Sequence, residues 1–214
     1  MHNSTSEHYS NWELPVSPSG KIGPFEKITG PGATRMEIAL QAVLPLLAGI
    51  IATWYSWNHE NQSIWQIIVA AVLGFDIAGG IITNSTSSAK RWYHRQGQGF
   101  WQHMGFIFIH IIHLSVVAYL FTPAWQWLAT NCAILILGAG IILRCPLYLQ
   151  RTVSLALYST ALLISIYFLP VSGFEWFLPL FYLKLLVAHL PVEEPYRPKH
   201  EKATPAKAGI EGAQ

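Results

Sequence analysis

Six apolar runs joined by short connections dominate this sequence and restrict how it can fold. They cover residues 36–57, 64–83, 100–121, 125–143, 152–169 and 174–190. Each is close to the ~20 residues that a helix needs to cross about 30 Å of hydrocarbon. Backbone groups inside a bilayer must be hydrogen-bonded within the protein, and none of the runs alternates as a barrel strand would, so helices are favoured. We predict an all-α polytopic integral membrane protein, a bundle of six transmembrane helices.

The distribution of charge supports this interpretation. Charged residues make up only 11% of the chain and hydrophobic residues 52%, whereas about a quarter of the residues in soluble domains are charged. Most charges lie in residues 1–35, predicted to be a polar cytoplasmic segment, and 191–214, predicted to be a disordered cytoplasmic tail. Residues 36–190 form the predicted membrane domain. The chain has no basic stripe and no nucleic-acid-binding motif, so we expect no nucleic-acid partner.

The basic residues predict the orientation of the bundle. Twelve of the thirteen Lys and Arg residues fall in segments 1–35, 84–99, 144–151 and 191–214, and none falls in segments 58–63, 122–124 or 170–173. Because cytoplasmic loops are enriched in Lys and Arg, both termini are predicted to be cytoplasmic. The N-terminal residues lack the basic start and apolar run of a secretory signal. The predicted location is therefore the cell membrane, multi-pass, with no cleaved signal peptide.

Ionisable residues inside the predicted spans are the candidate functional residues, because such groups are costly in a membrane. They are Asp76, His103, His110, His113, Lys184 and His189. At ~1.5 Å per helical residue, Asp76 lies roughly 12 Å from the inner surface, and His110 and Lys184 lie at similar depths. We predict that these three meet in the inner half of the bundle as the catalytic group. Pro179 is expected to kink the last helix and open room beside Lys184.

Three chemical hypotheses use these residues. Imidazole and carboxylate ligands could hold a divalent metal at Asp76, His103, His110 and His113. Two imidazoles could bind a haem iron, with His103 and His189 as its ligands. Asp76, His110 and Lys184 could instead form a proton or ion pathway without a cofactor. The sequence leaves the cofactor undetermined between a divalent metal, a haem and none.

The functional hypotheses follow from these chemistries. The first is a metal- or haem-dependent membrane enzyme or redox protein that acts on a lipid-soluble substrate. It is preferred because three histidines on one helix exceed what packing needs. The second is a small proton-coupled transporter, and the third is an accessory protein whose polar residues only hold helices together. Small residues spaced four apart at Ala70, Gly74 and Ala78 suit close helix packing and predict a homo-oligomer through that face.

Overall fold

The computed structural model describes residues 8–15, 21–59, 61–122 and 124–198, which form a bundle of helices. The elements are β1 (His8–Ser10), α1 (Pro24–Thr29), α2 (Arg35–Trp57), α3 (Ile64–Ser85), α4 (Ser87–Tyr93), α5 (Phe100–Ile109), α6 (Ile111–Leu120), α7 (Trp125–Arg144), α8 (Leu147–Phe168), α9 (Phe177–Tyr182), a π-helix (Leu183–His189) and β2 (Tyr196–Pro198). Five helices are long and apolar enough to cross a bilayer, with α5 and α6 counted as one. The predicted helical class is thereby confirmed.

Helices α2 and α3 each begin with a capping box. The Thr34 hydroxyl accepts the N–H of Glu37 at 3.1 Å, and the Glu37 carboxylate accepts the N–H of Thr34 at 2.7 Å. Ser63 and Gln66 repeat this exchange at the start of α3. These bonds satisfy N–H groups that the first turn of a helix leaves without partners. Both helices therefore begin within two residues of the predicted position.

The boundary of α8 differs from the prediction. The helix begins at Leu147, immediately after Pro146, and not at residue 152. The apolar pattern begins only after Arg151, but the helix includes that residue because a proline at its N-terminus fixes φ and needs no hydrogen-bond partner. Hydropathy located the apolar part of this helix and missed its first turn.

The last apolar run forms the centre of the bundle. Its helical part is Phe177–His189, shorter than the five long helices, and it combines α9 with the π-helix. The side chains of Phe177, Phe181, Leu185 and Leu186 are fully buried. The surrounding helices keep apolar side chains exposed on their outer faces, including Leu46 and Ile50 of α2. A core helix enclosed by helices with apolar outer faces is typical of a bundle surrounded by lipid.

Segments from both ends of the described chain meet beside the bundle. Strands β1 and β2 pair antiparallel, with Tyr9 opposite Arg197. The Asn11 N–H also donates to the Pro195 carbonyl at 2.7 Å. Residues 199–214 of the predicted tail lie outside the described residues. The segments before the first long helix and after the last one therefore lie together.

The face formed by Ala70, Gly74 and Ala78 has a role within the chain. A Cβ added at Gly74 would lie 2.6 Å from the Cβ of Ala52 and 3.1 Å from the carbonyl oxygen of Ala48. Gly74 therefore lets α2 and α3 approach closely, as small residues do in membrane helix pairs. Any homo-oligomer, which stays a prediction, would have to accommodate α2 on this face.

Candidate functional site

An interruption of the third long helix positions two of the candidate histidines. The backbone N–H of His110 donates to Ile107 at 3.1 Å, and that of His113 donates to His110 at 3.1 Å, so both bonds span three residues instead of four. The tightened turn releases the Phe106 carbonyl, which accepts a hydrogen bond from Nδ1 of His110 at 2.7 Å. The His110 carbonyl likewise accepts from Nδ1 of His113 at 3.2 Å. The histidine side chains thus complete the hydrogen bonding of the interrupted backbone.

One of these bonds fixes the tautomer of His110. A carbonyl oxygen only accepts hydrogen bonds, so Nδ1 carries the proton in His110, whereas His113 can donate either from Nδ1 to the His110 carbonyl or from Nε2 to Asp76. The Nε2 atoms lie at the far end of each ring, away from the helix. The two rings stack with their centroids 5.0 Å apart and their planes at 14°. The interruption therefore aligns two imidazoles with their Nε2 atoms available for other contacts.

Asp76 joins one of these imidazoles to a buried lysine. Its Oδ2 atom lies 2.6 Å from Nζ of Lys184 and 3.1 Å from Nε2 of His113. An unprotonated Nε2 of His113 facing a carboxylate would place two acceptors together. A proton therefore lies between Asp76 and His113, carried by one or the other. Oδ2 of Asp76 therefore joins His113 to the lysine ammonium.

Gly80 provides the space for Lys184. A Cβ at this position would lie 2.2 Å from Cε of Lys184. The lysine side chain is only 3% exposed, whereas that of Asp76 is 43% exposed. The ammonium group is therefore enclosed between helices, and the carboxylate faces open space.

That open space is a cavity of about 560 Å³ between α1, α2, α3, α5, α6 and the π-helix. Asp76, His110, His113 and Lys184 lie in its wall, and apolar residues form most of the rest. Phe25, Ile28, Phe75 and Ile109 also line it and keep large exposed surfaces, 62% for Ile28 and 69% for Ile109. The volume is in the range of small-molecule sites. The cavity thus combines an apolar opening with one polar cluster.

The last helix supplies Lys184 from a widened segment. The π-helix begins four residues after Pro179, which removes one N–H from the helical ladder. Side chains from other helices bind the carbonyls at the end of this segment. Lys90 donates to Ala188 at 2.7 Å and to Pro191 at 2.9 Å, and Ser154 donates to Leu186. The irregular backbone is therefore satisfied by α4 and α8.

A second histidine cluster lies at the end of the last helix. Nδ1 of His189 donates to Oδ1 of Asn84 at 3.1 Å, so Nε2 of His189 accepts the hydrogen bond from Nδ1 of His103 at 3.2 Å. The His94 ring stacks on His103 at 4.7 Å between centroids, and its Nε2 donates to the His189 carbonyl at 3.0 Å. Hydrogen bonds and ring stacking thus connect three imidazoles and the Asn84 amide.

The structure therefore divides the predicted site residues into two groups. The first group lines the cavity and consists of Asp76, His110, His113 and Lys184. His113 contacts Asp76 directly, whereas His110 stacks on His113 and has no direct contact with Asp76 among the bonds of the described residues. His103 and His189 hydrogen-bond each other directly, and metal–nitrogen bonds of about 2 Å would need more room for an iron between them. Within residues 8–15, 21–59, 61–122 and 124–198, no group of three or more His, Cys, Asp or Glu could hold a metal ion.

Sequence reasoning missed several residues around both clusters. His94 and Lys90 belong to the basic, aromatic segment that follows α3, but nothing in the pattern indicates that their side chains turn back to the last helix. Ser154 carries no sequence signal at all. Burial and the nearby charge of Lys90 lower the pKa of His94 to about 3, and burial lowers the pKa of Lys90 to about 8. At neutral pH the His94 ring of this network is therefore uncharged.

Acidification is expected to destabilise this network. The pKa of His94 is about 3 in the folded protein, well below the usual 6.5 of a histidine. Between these values the unfolded chain binds a proton that the folded chain excludes. The contribution of uncharged His94 to the free energy of unfolding is therefore fully present above pH 6.5 and decreases as the pH drops toward 3. We expect the thermal midpoint of the purified protein to fall from pH 7 to pH 4, and to fall less in His94→Gln, which can still donate to His189. Equal slopes for both proteins would contradict this prediction.

Comparisons with known proteins add no family to this description. No protein-family model matches the sequence, and no significant similarity was found to a curated protein or to a solved structure.

Proposed function

We propose that the protein is a cell-membrane protein with six spans and both termini in the cytoplasm. Two sets of contacts support a crossing by the short last helix. At its start, Ser172 and Glu175 bond to His59 and Tyr55 at the far end of α2. At its end, His189 bonds to Asn84 at the far end of α3. The last helix therefore runs parallel to α3 from one side of the bundle to the other.

The positions of the charges and of the two strands support the same topology. An even number of crossings places the segments that carry β1 and β2 on one side, as their pairing requires. The side of the bundle at which α3 ends also carries Lys90 and Arg91, whereas segments 58–63 and 170–173 contain no Lys or Arg. The side rich in Lys and Arg is the cytoplasmic one.

Labelling of cysteines tests this topology. In a variant without Cys132 and Cys145, an impermeant maleimide is expected to label Ser172→Cys in intact cells and Glu194→Cys only after permeabilisation. Both sites are exposed and flank the last helix. A five-span protein would label the two positions alike, which would contradict the proposal.

We infer that the cavity binds a lipid-soluble molecule and that Asp76, His113 and Lys184 form the proton-transfer site of a membrane-embedded enzyme acting on it. The observation that carries this proposal is the 43% exposure of the Asp76 side chain toward an apolar cavity. An ion pair that only joined α3 to the last helix would not need its carboxylate to face a cavity of ligand size. A carboxylate and imidazole that share one proton can take up or release it during a reaction.

The exposed rim indicates how such a molecule would reach the site. Phe25, Ile28, Phe75 and Ile109 lie both on the outer surface and in the cavity wall. In a six-span bundle Phe75 and Ile109 on the spanning helices contact lipid, and α1 lies at the cytoplasmic edge, so the cavity opens sideways into the inner half of the bilayer. This geometry suits a substrate that is dissolved in the membrane.

Proton-coupled transport is the second candidate, and one observation favours it. Two membrane-depth helices are irregular beside the site, one at His110 and one at the π-helix. Interrupted helices that line a cavity are common in transporters, where they form substrate and ion sites. Proton flux into vesicles that contain Asp76→Asn or the wild type would distinguish transport from an enzyme reaction confined to the membrane.

Filling the cavity is expected to abolish binding of a lipid-soluble probe. Ala42 lines the cavity from an exposed position on α2, so Ala42→Phe adds volume there without entering the core. We expect photolabelling by a diazirine derivative of a long-chain alcohol to map to the cavity wall and to fall at least tenfold in this variant. Ala156→Phe, on an exposed face of α8, is the matched control. Equal labelling of both variants would contradict the proposed site.

A further inference from the structure

Two hydrogen-bond acceptors in the wall of the cavity have no partner among the described residues. Nδ1 of His110 donates to the Phe106 carbonyl, which leaves Nε2 as the acceptor that the ring presents to the cavity. Both contacts of Asp76 use Oδ2, and among the described residues no hydrogen bond reaches Oδ1. Nε2 of His113 and Nζ of the enclosed Lys184 are engaged by Asp76. Two acceptors, Nε2 of His110 and Oδ1 of Asp76, therefore remain for a ligand.

Acceptors require a ligand that brings its own donor. Leaving a buried acceptor without a partner costs about 1–3 kcal/mol, so a ligand with a hydroxyl is favoured over one with an ether at the same position. The stacked neighbour of His110 is the ring that binds Asp76, so both acceptors belong to the same wall of the cavity. An apolar molecule without a donor would fill the cavity and leave them unsatisfied.

The charge and depth of the cluster exclude an ionic ligand. The Lys184 ammonium already balances the Asp76 carboxylate, so a phosphate or carboxylate group would have to displace Asp76 from its enclosed cation. Asp76 also lies nine residues before the end of α3 at Ser85, about 13 Å below the inner surface of the bundle. A charged headgroup at that depth would lose its hydration without compensation.

We propose that the ligand is a neutral lipid with a terminal hydroxyl group, such as a long-chain alcohol, whose O–H donates to Nε2 of His110 or Oδ1 of Asp76. Its chain lies along the apolar wall and leaves through the rim formed by Phe25, Ile28, Phe75 and Ile109. This inference rests on the proposed function and names the ligand class of the same site.

Competition between matched ligands tests the proposal on the wild-type protein in lipid nanodiscs. The probe is a hexadecanol derivative with a diazirine and an alkyne, and the competitors are hexadecanol, hexadecyl methyl ether and palmitate. We expect hexadecanol to compete about 5- to 30-fold better than the ether, the factor that one hydrogen bond supplies. Palmitate is expected to compete less well than hexadecanol. In His110→Phe the preference for alcohol over ether is expected to fall severalfold.

The possible results separate the ligand class from the proposed function. Equal competition by alcohol and ether, with labelling still lost in Ala42→Phe, would overturn the hydroxyl proposal and leave the lipid-binding cavity standing. Palmitate as the best competitor would overturn it too. Labelling that is unaffected by Ala42→Phe would overturn the cavity itself and the ligand class with it. The comparison of competitors uses the wild type, so it decides the proposal even where His110→Phe does not fold.

Discussion

Replacing Asp76 with leucine is expected to lower the free energy of unfolding by about 3 kcal/mol. Removal of one partner of a buried ion pair costs about 3–5 kcal/mol, because the other charge is left without compensation. The group left without compensation here is the ammonium of Lys184. The Lys184 side chain is 3% exposed, and its Nζ lies 2.6 Å from Oδ2 of Asp76. The lower end of the range applies because the carboxylate faces the cavity. Denaturant-induced unfolding in a defined detergent would measure the change.

The double variant Asp76→Leu with Lys184→Met separates charge from packing. It removes both charges together, so we expect it to recover most of the lost stability. Glu175→Leu is the matched control, since that carboxylate is exposed and bonds to Tyr55 at the opposite end of the bundle. We expect the control to cost less than about 1 kcal/mol. A double variant as unstable as Asp76→Leu alone would show that the lysine charge is not the cause.

The same variants distinguish the proposed enzyme from an accessory protein. If Asp76 and Lys184 only hold α3 to the last helix, the stable double variant should retain the protein's biological role. If Asp76 exchanges a proton with a bound molecule, the double variant should fold and still lose function. Stability and function would then separate at one pair of residues.

The sequence predicted the elements that depend on hydrophobicity and spacing. The six apolar runs predict the helices. The cost of a charge in a membrane indicates that Asp76 and Lys184 turn inward and meet. Their contact follows from their similar depths, and the structure places them 2.6 Å apart. Depth can be counted along a helix, so such a pair is accessible to sequence reasoning.

The arrangement of the histidines could not be predicted in the same way. The sequence predicts that His103, His110 and His113 lie on one continuous helix. The interruption at His110 turns that ring and His113 toward the cavity, whereas His103 joins His189. A helix break without proline leaves little trace in the sequence, because here the histidines themselves replace the missing backbone bonds. The predicted four-ligand set was therefore divided between two clusters.

Replacing Gly30 with alanine is expected to release α1 from α4. Gly30 has φ of +84°, which residues with a Cβ rarely adopt, and its Cβ would lie 2.2 Å from the carbonyl carbon of Ser88. Backbone atoms cannot move aside as a flexible side chain can, so the glycine is required by both conformation and space. The bonds that depend on this approach include Ser88 to Thr29 at 2.7 Å and Tyr93 to Ile28 at 3.1 Å.

The expected loss is local because α1 is short and lies at the edge of the bundle. We expect backbone amides of residues 25–34 to exchange with deuterium about 100-fold faster in Gly30→Ala, which corresponds to about 3 kcal/mol of local stability. The melting temperature of the bundle should change little, since the core formed around the last helix is intact. Hydrogen exchange followed by mass spectrometry would measure both effects on one sample.

Gly97 provides the matched control for this variant. Its φ is +87°, almost the same as that of Gly30, but no atom lies within 4 Å of the Cβ that it would gain. Gly97→Ala therefore introduces backbone strain without a collision, and a 100-fold difference between the two variants would isolate the contact with Ser88. Because Phe25, Ile28 and Thr29 line the cavity, release of α1 should also weaken lipid-probe labelling in Gly30→Ala. Fast exchange with unchanged labelling would mean that α1 covers the cavity without contributing to binding.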